Sequence, residues 1–237
     1  LKRGWPLFRM ATSENDETSA VEEIMLRDWK GLPFALLDDG TIYSRELVDR
    51  VRARLEEAGL KPTFTDTLRP SQEQQIALVR RLSRTGVTHV FAATERNDLS
   101  IIARDAAAEK IPLVLMGSDA LRAANAPVPL QPGTLAVALP DYAALPSAAE
   151  AVQQLRAASI EPEGYVLPAY AAAQLSAQAL EKASEQSKPT PVVMVGTTFN
   201  TVIGPVIFNE RHELQDNPYR LQRWTGTDFV VVDKALN

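Results

Sequence analysis

PFALLDDGTIYSRELVDRVRARLEEAG, residues 33–59, is the stretch whose reading decides the fold. It opens with Phe34-Ala35-Leu36-Leu37, a short apolar run that reads as a buried strand. Asp38-Asp39-Gly40 then breaks the run, as that dipeptide chemistry does in turns. After a loop at Thr41-Ile42-Tyr43, Ser44 is placed to cap a helix, with Glu46 in the first turn where the helix dipole favours an acid. Leu47, Val48, Val51 and Leu55 hold helical spacing, and Gly59 suits the position just past the end. The order is strand, polar loop, helix. In open α/β sheets, ligands bind outside the carboxyl ends of the strands. Asp38 to Tyr43 is therefore the first candidate site.

The same order repeats on either side. Before it, Leu7 to Met10 reads as a short strand, and Thr12, Ser13, Asn15 and Asp16 offer caps for a helix to about Trp29, with Val21, Ile24 and Met25 on one face. After it, Thr63 to Leu68 alternates like a strand, and Pro70-Ser71 starts a helix striped by Ile76, Val79 and Leu82. Thr88 to Ala93 is the next strand, Thr94-Glu95-Arg96-Asn97 a polar loop, and Asp98 to Glu109 a helix. Ile111 to Met116 is another buried strand, ending in Gly117-Ser118-Asp119. Strands alternating with helices in this way give βαβ units, a parallel sheet and right-handed crossovers.

From Ala120 the texture changes. Ala124 to Gly133 is rich in proline, Thr134 to Leu139 is a strand, and Pro140 to Pro146 is irregular, so a domain crossing falls there. Ser147 to Ala158 is helical. Val166 to Ala183 is an alanine-rich, nearly uncharged helix expected to be largely buried, with Pro168 in its first turn. Val192 to Gly196 fits either a short helix or a strand. Phe199 to Phe208 is β-prone, Asn209 to Glu213 a turn, and Phe229 to Val232 a last strand.

Composition narrows the function classes. The 237 residues suffice for one large domain or two small ones. The formal net charge of −5 supplies no basic surplus for nucleic acid or an anionic membrane surface. With no cysteine, disulfides and thiolate metal sites are ruled out. His89 and His212 are the two histidines, too few for a multi-histidine metal site. His89 reads as a structural imidazole and His212 as a solvated one. No apolar run approaches the ~20 residues of a membrane span. The chain starts at Leu1, so either a segment was removed or the sequence starts internally.

The chemistry-bearing patterns are few. There is no Gly-rich phosphate loop, no Gly-x-Ser-x-Gly elbow and no nucleophile in a recognisable setting, so neither a nucleotide cofactor nor an enzyme is expected. Acid pairs such as Asp38-Asp39 and Glu22-Glu23 are ordinary solvated turns and helix faces. What stands out is a set of polar side chains on three successive strand-end loops: Tyr43, then Thr94, Glu95 and Arg96, then Ser118 and Asp119. Tyr43 offers an aromatic face and a hydroxyl. Asp119 offers a partner for an ammonium group.

In this order of elements the sequence resembles the periplasmic solute-binding proteins of branched-chain amino-acid ABC transporters, the type I Leu/Ile/Val-binding family. The resemblance rests on LFRMATSENDETSA at 7–20, FALLDDGTIYSRELVDRVRARLEEAGLKP at 34–62, QQIALVRRLSRTGVTHVFAA at 74–93, ARDAAAEKIPLVLMGSDAL at 103–121, GYVLPAYAAAQLSAQALEKA at 164–183 and TVIGPVIFNERHELQDNPYRLQRW at 201–224. It departs from the family at Glu14, where Asp is usual, and at Ser44, where Gly is usual. The resemblance implies a type I periplasmic-binding-protein fold with parallel-sheet lobes, helices on both faces and an incomplete first lobe, roughly the first third of the family's length being missing. Residues 1–139 would form the second lobe, 140–219 the returning part of the first, and 220–237 the crossing back. It implies ligand contacts from Tyr43, Glu95 and Asp119, with Asp119 receiving an ammonium group and Tyr165 near the cleft. Thr94 and Ser118 belong to the same loops. The implied function is capture of an amino acid or similar small carboxylated solute and its delivery to a membrane permease from the periplasm, without cofactor or metal. The alternative is a sensory or interaction module of the same fold that has lost solute binding. Self-association is expected if the first lobe is truncated.

Overall fold

The computed structural model describes residues 6–122 and 127–233. The expected opening loop at Leu1 to Trp5, and Ala124 to Ala126 of the proline-rich stretch, lie outside the described residues. The chain divides into two compact units: 14–139 with the segment from Tyr219 onward, and the smaller 1–13 with 140–218.

The larger unit begins with helix α1, Glu14–Asp28, and continues with strand β1, Phe34–Asp38, helix α2, Ile42–Glu57, and strand β2, Phe64–Thr67. Then come α3, Ile76–Arg84, β3, His89–Ala93, α4, Arg96–Ala108, β4, Val114–Gly117, and β5, Leu135–Ala138. The chain returns to this unit in β8, Arg220–Trp224, and β9, Phe229–Val231. The sheet order is β2-β1-β3-β4-β5-β8-β9. The first five strands are parallel, and β8 and β9 add antiparallel.

Strand side chains alternate between two cores, as the pleat requires. Phe34, Leu36, Phe91, Met116, Leu135 and Val137 meet α1 and α2 through Val21, Met25, Val51 and Leu55. Ala35, Leu37, Val90, Ala92, Leu115 and Ala136 meet α3 and α4 through Val79, Leu82, Leu99 and Ile102. The central parallel strands β1, β3 and β5 are buried on both faces, which explains their continuous apolar runs, while the edge strand β2 alternates.

Several element starts differ from the sequence reading. Helix α2 begins at Ile42, with Thr41 as N-cap, so Ile42 and Tyr43 are helical rather than loop. Ser44 does not cap; its hydroxyl accepts from Asp39 N–H (2.9 Å) and donates to Ala93 O (2.5 Å), tying the end of β1 to the end of β3. The Asp38 to Thr41 turn is self-bonded: Gly40 N–H donates to Asp38 Oδ1, and Thr41 N–H and Oγ1 donate to Asp39 Oδ1. Gly40 has φ +83°, which a side chain would strain. Helix α3 starts at Ile76, not Pro70. Ser71 has φ +58°, and the Ser71 and Gln75 N–H groups bind the Asp98 and Asp105 carboxylates instead of forming a helical turn. Helix α4 starts two residues early, at Arg96, after Glu95.

The smaller unit holds α5, Ala149–Ala157, α6, Val166–Gln186, α7, Thr190–Met194, and a hairpin of β6, Phe199–Thr201, with β7, Gly204–Val206. The ambiguous 192–196 segment is thus mostly the end of a helix. Residues 7–10 form no strand and group with this unit, not with the larger one. The reason is local: Arg9 N–H donates to His212 O, and Phe8 stacks on the His212 ring at 4.1 Å and meets Phe208 edge-on at 5.0 Å. His212 is therefore packed rather than solvated. Helix α6 buries one stripe, Leu167, Ala171, Leu175, Ala179 and Ala183, and leaves Leu180 62% exposed. Expecting it to be largely buried was wrong because alanine, neutral in hydropathy patterning, sits on both faces.

Candidate functional site

The carboxyl ends of β1, β3 and β4 bring five of the six predicted residues into the larger unit: Tyr43, Thr94, Glu95, Ser118 and Asp119. Tyr165 belongs to the smaller unit, where it precedes α6 and is 67% exposed.

The centre of the cluster is a residue that the sequence reading did not single out. Glu17, on α1, is 2% exposed. Its Oε2 accepts from Tyr43 Oη at 2.8 Å, and its Oε1 accepts from Asp119 N–H at 3.0 Å. One carboxylate thus joins the first turn of α2 to the turn after β4. Nothing local marks Glu17, because its partners lie 26 and 102 residues away. The one available signal was an acid on the apolar face of α1, four residues before Val21.

Tyr43 is 41% exposed as a residue, yet its phenol is held well above its ordinary range. Burial of the hydroxyl is the largest cause, followed by the Glu17 charge; the nearby Ser118 hydroxyl works the other way. Ser118 Oγ is buried and makes no hydrogen bond of normal geometry, and Thr94 Oγ1 is in the same condition. Both follow adjacent parallel strands, whose register pairs Ala92 with Gly117. Gly117 is required here: a Cβ would stand 2.5 Å from Leu121 Cδ1, and Leu121 is fully buried.

Asp119 is raised above the usual carboxylate range, first by burial, against the lowering effect of Leu139 N–H and Arg122. Its Oδ1 accepts from Leu139 N–H at 2.9 Å, so it also fixes the exit from β5. Arg122 donates to Leu139 O at 2.8 Å and Gln222 Nε2 to the same oxygen at 2.9 Å. Glu95 is exposed at the start of α4 and makes no side-chain cap. It adds to the negative field that, with burial and Asp39, raises Asp98. The site is thus rich in acceptors and negative charge. Among the described residues no group of three or more His, Asp or Glu is arranged to hold a metal ion.

A separate groove lies elsewhere in this unit. It is an open groove of about 530 Å³ near the amino ends of β4 and β5, lined by Ala103, Ala106, Leu115, Pro132, Thr134 and Arg223 among others.

Comparison with known proteins agrees with the architecture. Solved structures of similar fold include a periplasmic binding protein type 1 from Bordetella pertussis Tohama I, at TM-score 0.65 and 18% identity, covering 95% of this chain and 67% of that one. A putative branched-chain amino acid ABC transporter from Rhodospirillum rubrum reaches TM-score 0.75 at 16% identity, covering 95% of this chain and 67% of that one. A branched chain amino acid ABC transporter from Thermus thermophilus with bound valine gives 0.68 at 20% identity, covering 96% and 66%. The chain has the type I α/β fold of these proteins.

A family model described as periplasmic binding protein matches residues 5–228, and the chain belongs to that family. The family is one of binding proteins, not of enzymes. Among curated relatives, Leu/Ile/Val-binding protein homolog 1 of Brucella suis biovar 1 (strain 1330) is 27% identical over 226 residues, 93% of this chain. The leucine-, isoleucine-, valine-, threonine-, and alanine-binding protein of Pseudomonas aeruginosa is 25% identical over 233 residues, 94% of this chain. The chain spans 61% of the length of both relatives. Among the described residues no helix is long and apolar enough to cross a membrane.

Proposed function

We propose that the protein is the periplasmic solute-binding component of an ABC transporter, which captures an amino acid or a similar small carboxylated solute and delivers it to the membrane permease. The observation that carries this reading is the acceptor-rich cluster at the strand ends, where the Glu17 carboxylate holds Tyr43 and Asp119 together. Ammonium groups are recognised by acceptors of this kind, through charge-assisted hydrogen bonds in a partly desolvated setting. The relatives named for leucine, isoleucine and valine, and the neighbour with bound valine, support the amino-acid class. A neighbour of the same fold holds benzoate, which has no ammonium group. The buried acids of this chain favour the aminated class over that one.

In this reading Asp119 takes the ammonium group and Tyr43 walls the site. Ser118 and Thr94 supply hydroxyls, and Glu95 extends the site toward a further polar group. Residues 14–139 would act as the family's second lobe, 140–218 as the returning part of the first, and the segment from Tyr219 as the crossing back.

Isothermal titration calorimetry against the twenty L-amino acids and their deaminated acids tests this. At least one amino acid should bind, and Asp119→Ala should weaken it by about tenfold or more, the loss expected for a hydrogen bond to a charged group. Unchanged affinity in the variant removes the ammonium role from Asp119. Binding of none of the panel by the wild-type protein favours the sensory or interaction module.

A further inference from the structure

A tyrosine hydroxyl has one proton to give and lone pairs to receive. At Tyr43 that proton goes to Glu17 Oε2, 2.8 Å away, and the phenol is kept protonated by burial and by the Glu17 charge. Glu17 has no freedom to reverse the arrangement, because its other oxygen is met by the Asp119 backbone N–H, which can only donate. Asp119, the second acid, accepts through Oδ1 from Leu139 N–H. Arg122, the nearest cation in the sequence, donates to the Leu139 and Gln222 oxygens and acts on Asp119 through its charge. The buried Ser118 hydroxyl makes no hydrogen bond of normal geometry and lies beside the Tyr43 phenol, toward which it can only act as a donor, since the Tyr43 proton is already given to Glu17.

We infer that Glu17 sets the hydrogen-bonding polarity of the site: by taking the Tyr43 proton it leaves Tyr43 able only to accept from a solute, so this half of the site selects a donor group, an ammonium or amide N–H, over a carboxylate. Glu17 is a positioning residue, acting through Tyr43 and the Asp119 turn. The inference rests on the solute-binding reading above and adds to it which residue decides the class of group accepted.

The decisive variant is Glu17→Gln, which keeps the shape and removes one acceptor. The glutamine carbonyl is needed by Asp119 N–H, so its amide N–H₂ faces Tyr43 and donates. Tyr43 must then turn its own proton outward. Two readouts follow, with L-leucine and 4-methylpentanoate, its analogue without the ammonium, as the probes. In the wild-type protein L-leucine should bind more tightly than 4-methylpentanoate, and Glu17→Gln should narrow that ratio by about tenfold, the scale of one charge-assisted hydrogen bond. Separately, nuclear magnetic resonance of [13Cζ]tyrosine-labelled protein should show Tyr43 staying protonated above the ordinary range of a tyrosine. In Glu17→Gln its titration should move down, since the negative charge is gone. Tyr43→Phe keeps the ring and removes the acceptor, and should lower L-leucine affinity with Glu17 in place. An unchanged solute ratio together with an unmoved Tyr43 titration overturns the assignment. If neither probe binds the wild-type protein, the solute reading fails for this class, while the Tyr43 titration still decides what Glu17 does.

Discussion

Both ends of the main sheet contain buried polar atoms without a hydrogen-bond partner, and the two ends differ in what surrounds them. At the carboxyl end the atoms are the Thr94 and Ser118 hydroxyls, after β3 and β4, near Asp119 and the first turn of α2 with Tyr43, which Glu17 joins. At the amino end they are Trp29 Nε1 and His89 Nε2. There the two rings meet edge-on, 5.3 Å apart and 61° inclined, with Phe34 beyond the indole at 6.0 Å. His89 Nδ1 lies 2.8 Å from Thr88 Oγ1, and burial alone lowers the imidazole pKa, with no carboxylate contributing. The contrast shows that an unpaired buried atom does not define a site. Aromatic rings repay their burial through packing area and edge-to-face geometry. A lone hydroxyl amid acids has no such return, and its cost is consistent with a group kept for a ligand.

The largest effect should come from the amino end. Trp29→Ala empties a fully buried indole site and should cost about 3–5 kcal/mol in urea denaturation, while solute affinity, measured where the variant is folded, stays within about twofold because it touches none of the carboxyl-end residues. A larger loss of affinity would break the division between the ends.

His89 should give the next effect, through pH. Its folded pKa lies below the unfolded value near 6.5, so its contribution to stability is complete above that value and is lost as pH falls through the folded one. Denaturation midpoints from pH 7 to 4 should therefore fall less steeply in His89→Gln than in the wild-type protein, by up to about 1.4 kcal/mol per pH unit within the titration window. Parallel curves would show that His89 is protonated equally in both states.

Ser118→Ala should have the smallest effect on stability, within about 0.5 kcal/mol, because the hydroxyl makes no hydrogen bond of normal geometry. It should nonetheless weaken solute binding. A clear destabilisation without change in binding would place Ser118 with the amino-end atoms, as structure only.

Much of the fold could be read directly because two periodicities in the chain are strong. Apolar runs of four or five residues marked β1, β3 and β4, and heptad-like spacing marked α2 and α3. What failed was the placement of single polar residues. Ser44 looked like a cap because serine before a helical stripe usually is one, but its partner is Ala93 O, 49 residues on. Ser71 looked like a helix start, yet its N–H is spent on Asp98, 27 residues on. Of the candidate site, Tyr43, Thr94, Ser118 and Asp119 were legible because strand ends have a fixed side in a parallel sheet. Glu17 was not, since only the folded sheet brings α1 across those ends. Tyr165 was named through resemblance; in the smaller unit it precedes α6 and is exposed.

The antiparallel return of β8 carries an entropic consequence. Leu135 to Ala138 pair with Arg223 to Arg220 across an excursion of about 80 residues, whereas β8 and β9 pair across a short turn. Closing the long excursion costs roughly 2–3 kcal/mol more than closing the short turn, by the logarithm of loop length. Burial of Leu221 against Leu135 and Val137, worth about 1.5–3 kcal/mol, is of the same size. The Gln222 side-chain bonds to Ala138 O and Leu139 O add to it. Leu221 and Gln222 thus both help to hold the returning strand, and the second of these also anchors the backbone that Asp119 grips.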